Sequence, residues 1–188
     1  DLFLEALADG GVACGLPRAL ALEYAAQMTA GAAQLFLASD KHPGQLKDEG
    51  LMPHRPYVFR ATQDISFLVN YCAIHYINAI AVPLEHMAND DIFNAVRDEV
   101  ESCQFDKEIV DILYTTGTTG KSKGVMLSQT CLSSCADNFI TNLGFSRDLL
   151  FIISGPLNHI ASLFKIHPTL TAGGTVYILD GMKDLNAF

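Results

Sequence analysis

The residues from Tyr114 to Gly124 have the composition of an anion-binding loop. Their sequence, YTTGTTGKSKG, contains four threonines, three glycines and two lysines. Glycines let backbone N–H groups come close to an anion, and a concave run of amides binds phosphate oxygens. Threonine hydroxyls add further donors, and a lysine adds positive charge. The stretch therefore predicts a phosphate-binding loop.

The loop does not have the spacing of a Walker A motif. In G-x-x-x-x-G-K-[ST], a second glycine at Gly120 would require the first glycine at position 115. That position is Thr115, and the nearest upstream glycine is Gly117. A polar surface loop without a ligand stays the alternative interpretation. A strand that leads into so many small residues and then two lysines favours phosphate binding.

The same stretch resembles the signature loop of the adenylate-forming enzymes, the acyl-CoA and aryl-CoA synthetase superfamily, Y-[TS]-S-G-T-T-G-x-P-K-G-V. Thr116 replaces the usual serine and Ser122 the usual proline, and neither change removes a donor. Three other segments resemble the family in order and spacing, namely DISFLVNYCAIHYINAIAVPLE, SGPLNHIASL and LTAGGTVYIL. In the second of them Asn158 replaces the common aromatic residue. The resemblance therefore extends over about residues 56–188.

This resemblance implies particular roles for residues and ligands. The β- and γ-phosphates of ATP would be held by Thr115, Thr116, Gly117, Thr118, Thr119, Gly120 and Lys123. His159 would lie at the acyl pocket, with a purely structural histidine as the alternative. The implied reaction is attack of a small-molecule carboxylate on the α-phosphate, which gives acyl-AMP and pyrophosphate. Mg²⁺ would assist, and coenzyme A is the expected acyl acceptor.

Later motifs of that family are not found in the sequence. They are Y-G-x-T-E, whose glutamate helps hold magnesium, Y-x-T-G-D, whose aspartate binds the ribose, and the C-terminal domain with its catalytic lysine. The metal ligands therefore stay unknown. We expect this chain alone not to complete the reaction.

The beginning of the chain resembles a different family. ALADGGVACGLPRALALEYAAQMTAGAAQLF and then HPGQLKD are similar to the C-terminal, dimer-forming helical domain of pyrroline-5-carboxylate reductases. The dinucleotide-binding domain of that family is not found, so no NADPH site is expected. A homodimer through residues 1–40 is expected.

The chain is therefore interpreted as composite, with a junction near residues 47–53. Residues 1–50 would be a reductase-like helical segment, and 51–188 an incomplete N-terminal subdomain of an adenylate-forming enzyme. Two alternatives stay open. Residues 20–39 could be the ordinary helix before the first strand of an adenylating enzyme, and the whole could be a non-catalytic composite chain that dimerises through its helices.

The elements that must position these residues follow from hydrophobic periodicity. Helical spacing extends over residues 1–39, and after Gly50 strands alternate with helices, which indicates an α/β fold. We expect a helical N-terminal segment followed by a partial, largely parallel sheet with helices on its faces. Asp64, Asn89 or Asp90, and Ser128 are the expected helix N-caps. No functional role is expected for His75 or His167.

Composition excludes several other classes. The net charge of −9 opposes binding to a nucleic-acid backbone. No apolar run reaches about 18 residues, so no membrane span is expected, and no secretion signal opens the chain. The five cysteines lack zinc spacing and are expected to be reduced core thiols of a cytoplasmic protein.

Overall fold

The structure, a computed structural model of the 188-residue chain, describes residues 50–115 and 122–179. The helices predicted within residues 1–39 lie outside this range. The described elements follow one another in the order β1 Pro56–Ala61, α1 Ile65–Tyr76, β2 Ile80–Glu85, α2 Asp90–Ser102, β3 Ile109–Thr115, β4 Lys123–Ser128, α3 Gln129–Leu143, β5 Leu150–Ile153, α4 Ile160–Thr171 and β6 Thr175–Ile178.

These strands form two sheets. Strands β1, β2, β3 and β4 are neighbours in that order, and β5 pairs with β6 in a separate two-stranded sheet. The pairs β1–β2, β2–β3 and β5–β6 are parallel, while β3–β4 is antiparallel. The α/β class and the largely parallel sheet are therefore confirmed. The reversal at β4 arises because only residues 116–122 separate it from β3, which is too short for a parallel crossover.

Local capping chemistry sets the helix starts. The Asp64 side chain accepts a hydrogen bond from the Ser66 amide at 2.8 Å, and Asn89 accepts from the Ile92 amide at 2.9 Å. Ser128 is the N-cap of α3, and its Oγ accepts a hydrogen bond from the Cys131 amide. The predicted caps are confirmed, with Asn89 rather than Asp90 in the second case.

Both faces of the four-stranded sheet are covered. On one face Ala81 and Leu113 pack with helices α1 and α4, whose buried residues include Phe67 and Leu163. On the other face β2 and β3 pack against α2, through Ile80, Val82, Ile112, Val96 and Val100. Burial on both faces explains why β2 reads as a continuous apolar run rather than an alternating one.

The cysteines do not all lie in the core. The four described ones are free, but Cys103 and Cys131 are exposed, so the prediction of core thiols is wrong for these two. Cysteine's average tendency toward burial does not say which helix face or terminus a given residue occupies. Desolvation raises the pKa of the Cys72 thiol to about 12, so that thiol is protonated and unreactive at neutral pH.

No helix within residues 50–115 and 122–179 is long and apolar enough to cross a membrane.

Candidate functional site

The ends of the predicted phosphate loop lie at the carboxyl edge of the parallel strands. Thr115 is the last residue of β3, Lys123 is the first residue of β4, and the two are paired across the ladder. In open α/β sheets, ligands bind in the crevice outside the carboxyl ends of the strands. The fold thus brings two of the predicted phosphate ligands together at a suitable edge. Thr116, Gly117, Thr118, Thr119 and Gly120 lie outside the described residues.

Contacts between its two ends close the neck of this loop. Ser122 Oγ donates a hydrogen bond to the Thr115 carbonyl at 2.9 Å, and Thr115 Oγ1 donates a longer one to the Lys123 carbonyl at 3.5 Å. Gly124 has no room for a side chain, because a Cβ there would lie 2.9 Å from Ile112 Cγ2. The Lys123 residue itself is exposed. A tight neck therefore presents an exposed lysine beside the loop.

His159 lies in the wall of a small cavity. It is the N-cap residue of α4, it is exposed, and its side chain makes no capping hydrogen bond. The cavity has a volume of about 130 Å³ and is lined by Ile152, Ile153, Ser154, Gly155, Pro156, His159, Ala161, Ser162 and Lys165. Pockets for whole drug-sized ligands are larger, roughly 300–1,000 Å³. The cavity could thus receive only a small group.

Gln63, which the sequence did not single out, holds the segment before His159 in place. Its Nε2 donates to the carbonyls of Gly155 at 2.9 Å and Leu179 at 3.1 Å. Its Oε1 accepts from the Leu157 amide at 3.3 Å. Because Gln63 follows β1, it joins the carboxyl ends of the two sheets. The one feature of the sequence that could have indicated this role is the position of Gln63 between strand β1 and the N-cap Asp64.

Sequence analysis also missed a buried polar cluster made of Tyr71, His75, Asp111 and His167, here called the Asp111 cluster. Asp111 is fully buried. Its Oδ2 accepts from the Tyr71 hydroxyl at 2.6 Å, and its Oδ1 lies 2.9 Å from His75 Nε2. The Tyr71 oxygen lies 2.9 Å from His167 Nε2. Two histidines for which no role was expected are therefore partners in one network.

The hydrogen-bond directions follow from the proton count. Tyr71 donates its only hydroxyl proton to Asp111, so His167 Nε2 must carry the hydrogen that it donates to Tyr71. Burial lowers the pKa of His167 to about 4, with a contribution from His75 and opposition from Asp111. Burial and the nearby Asp111 raise the pKa of Tyr71 well above its usual value. Both rings are neutral at pH 7.

The described residues contain no group of three or more His, Cys, Asp or Glu side chains that could hold a metal ion. The Asp111 cluster is accordingly a hydrogen-bonded network.

Comparison with protein-family models gives two matches on different parts of the chain. Residues 94–188 match the AMP-binding enzyme family, and residues 1–54 match the pyrroline-5-carboxylate reductase dimerisation family. The chain is therefore composite.

Curated relatives divide in the same way. Pyrroline-5-carboxylate reductase from Pisum sativum is 62% identical over 52 residues, which cover 28% of this chain and 19% of the reductase. D-alanine--D-alanyl carrier protein ligase from Listeria monocytogenes is 35% identical over 98 residues, which cover 50% of this chain and 19% of the ligase. The chain thus spans about a fifth of the length of these relatives.

Solved structures share the fold. ATP-bound MatB from Rhodopseudomonas palustris has a TM-score of 0.65 at 21% identity, and the match covers 87% of this chain and 41% of MatB. O-succinylbenzoate coenzyme A synthetase from Bacillus subtilis, in complex with ATP and magnesium ion, has a TM-score of 0.66 at 19% identity. That match covers 82% of this chain and 41% of the synthetase.

Proposed function

Because the chain belongs to the family of AMP-binding enzymes, we propose that residues 51–188 provide the phosphate-binding part of an ATP-dependent, carboxylate-adenylating domain similar to acyl-CoA ligases. The observation that carries this proposal is the pairing of Thr115 with Lys123 at the carboxyl edge of the sheet. This pairing fixes both ends of a loop rich in glycine and threonine.

In this proposal the loop from Thr115 to Lys123 holds the β- and γ-phosphates of ATP. Short hydroxyl and amide donors surround the phosphate oxygens, and Lys123 supplies charge. His159 lies beside the acyl group in the cavity at the start of α4. Holding the carboxylate near the α-phosphate would favour the reaction through positioning and charge stabilisation. ATP with Mg²⁺ supplies the adenylyl group, and a thiol such as that of coenzyme A would accept the acyl group.

The proposed domain boundary lies near residue 50. The reductase-type match ends at residue 54, and the first strand of the α/β fold, β1, begins at Pro56. We further place the protein in the cytoplasm, since the exposed free thiols of Cys103 and Cys131 suit a reducing compartment.

A ligand-binding experiment on the 188-residue chain tests this proposal. Pyrophosphate and ATP would be titrated by calorimetry, with NADPH as the matched control because it is the cofactor of reductases. We expect pyrophosphate to bind and to compete with ATP, since both would occupy the same loop, and NADPH not to bind. Binding of NADPH, or no binding of either phosphate ligand at millimolar concentration, would contradict the proposal.

A second candidate function is dimerisation through residues 1–40, which the reductase-type match of residues 1–54 favours. The sequence places Leu20, Tyr24, Met28 and Leu35 on one helical stripe, which requires burial. Light scattering after size exclusion would give twice the chain mass for the wild type. Met28→Asp should shift it toward the monomer, whereas Lys41→Asp, outside the stripe, should not. A wild-type monomer at all concentrations would rule dimerisation out.

A further inference from the structure

The Asp111 cluster joins three elements, a strand of the four-stranded sheet and two helices that cover it. Tyr71 and His75 come from α1, Asp111 from β3 and His167 from α4. Strand β3 ends at Thr115, four residues after Asp111. Helix α4 begins at Ile160, directly after the N-cap His159. The network therefore connects the strand that leads into the phosphate loop with the helix that carries the cavity.

Helix α4 needs such an anchor because its own hydrogen-bond ladder is interrupted. Pro168 lies inside the helix, directly after His167. A proline in a helix interior removes one i→i−4 hydrogen bond and its ring crowds the preceding turn. The side chains of Leu163, Ile166 and His167 are buried, so α4 is held by tertiary contacts. Among these contacts, the hydrogen bonds of the His167–Tyr71–Asp111 chain have fixed donors and acceptors, so they also set the orientation of the helix.

We propose that Asp111 is a positioning residue, which through Tyr71 and His167 fixes α4 against β3 and releases the helix when His167 takes up a proton. A protonated His167 would bring a charge into the core and place it beside Tyr71. The inference about α4 stands on these contacts alone. Its consequence for the placement of His159 relative to Thr115 rests on the proposed function.

The groups around His167 determine whether its protonation favours the opening or the closing of α4. From α1 it faces Tyr71 and His75, and from β3 it faces Asp111 through the tyrosine. Opposite Asp111, the paired residues are the apolar Ala81 on β2 and Leu127 on β4. His75 contacts the Asp111 carboxylate directly, at 2.9 Å, whereas His167 reaches it through the Tyr71 hydroxyl. A proton on His167 therefore places a charge in the core without a direct carboxylate partner, which favours opening.

The size of the effect follows from linkage. The pKa of His167 is about 4 in the folded protein and 6.5 when the group is free in water. The opening equilibrium constant of α4 should therefore rise roughly 20-fold between pH 7 and pH 5. Helix α2 packs on the other face of the sheet and contributes no residue to the cluster, so its local opening should lack this pH dependence.

Hydrogen exchange of the 188-residue chain, corrected for the intrinsic pH dependence of amide exchange, tests the proposal. In the wild type, amides of α4 should lose protection roughly 20-fold from pH 7 to pH 5, and amides of α2 should change far less. Equal changes in α2 and α4 would overturn the proposal, because the cluster would then be only one part of a cooperatively unfolding core.

Two variants distinguish the effect of His167 protonation from the effect of the packing of the cluster. His167→Gln keeps a donor for Tyr71 but cannot titrate, so it should remove most of the pH dependence of α4. Asp111→Asn should reduce α4 protection already at pH 7, because an amide cannot accept on both sides. Full pH dependence in His167→Gln would overturn the proposal. If that variant does not fold, the comparison of α2 and α4 in the wild type still decides it.

Discussion

At the scale of single residues, Lys123 is the test of the phosphate loop. Its residue is exposed beside the loop neck, where an anion could reach it. A hydrogen bond to a charged group contributes roughly 1.5–3 kcal/mol, so Lys123→Ala should weaken pyrophosphate binding about tenfold or more. Calorimetric titration of both proteins measures this.

The matched control is Lys121→Ala, because the family motif leaves that position variable. Lys121 lies outside the described residues, so this expectation comes from the sequence alone. A small effect at Lys121 and a large one at Lys123 agree with the adenylate-forming pattern. Equal losses at both positions would indicate a generic basic loop.

Tyr71 gives a second prediction at this scale. Tyr71→Phe removes the hydroxyl between Asp111 and His167, which leaves a buried N–H without its acceptor. Burial of an unsatisfied group costs about 1–3 kcal/mol, and we expect that loss in the free energy of unfolding from urea titration.

Tyr114→Phe is the control for this change. The Tyr114 hydroxyl donates to exposed Glu99 at 3.2 Å, so its loss should cost less than about 1 kcal/mol. If both variants lost the same stability, the hydrogen bonds of the Asp111 cluster would have no special value.

At the scale of elements, Gln63 joins the two sheets. Its three hydrogen bonds reach residues 92–116 positions away along the chain. We expect Gln63→Ala to lower the free energy of unfolding by about 1–3 kcal/mol, since each net hydrogen bond contributes about 1 kcal/mol. Amides near Leu157 should also exchange faster.

Gln129→Ala provides the comparison. Gln129 Nε2 has a long contact of 3.5 Å with Ser133 Oγ, four residues on in the same helix. Its replacement should change stability by less than about 0.5 kcal/mol and leave exchange near Leu157 unaltered. An equally mild effect of Gln63→Ala would show that the two sheets are held by apolar packing alone.

At the scale of the whole molecule, His167 makes stability depend on pH. Because its folded pKa, about 4, lies below the unfolded value of 6.5, the unfolded chain binds more protons in this window. The stabilisation is fully present above pH 6.5 and is lost as pH falls toward 4. We expect this residue to account for about 3 kcal/mol between pH 7 and pH 4.

Urea titrations at pH 7, 5.5 and 4 on the wild type and His167→Gln isolate this contribution, because the two proteins differ only at residue 167. The variant should lose less stability than the wild type on acidification. Parallel pH profiles would mean that His167 does not gain a proton on unfolding.

The sequence by itself determined the features that depend on residues close together in the chain. Asp64, Asn89 and Ser128 cap helices as predicted, because a cap needs only a side chain and an amide two or three positions away. The order of strands and helices followed from periodicity. The prediction of a phosphate-binding loop rests likewise on a contiguous run of glycines, threonines and lysines.

The tertiary structure decided whatever depends on contacts between distant segments. It made β4 antiparallel to β3 and brought Gln63 to Gly155 and Leu179. It also assembled the buried cluster, in which Asp111 and His167 lie 40 and 96 positions after Tyr71 in the sequence. An isolated aspartate or histidine in a periodic apolar run carries no local signal of its partner. A partner becomes defined only when parallel strands and their covering helices fix which faces meet, because burial then makes each polar group require one.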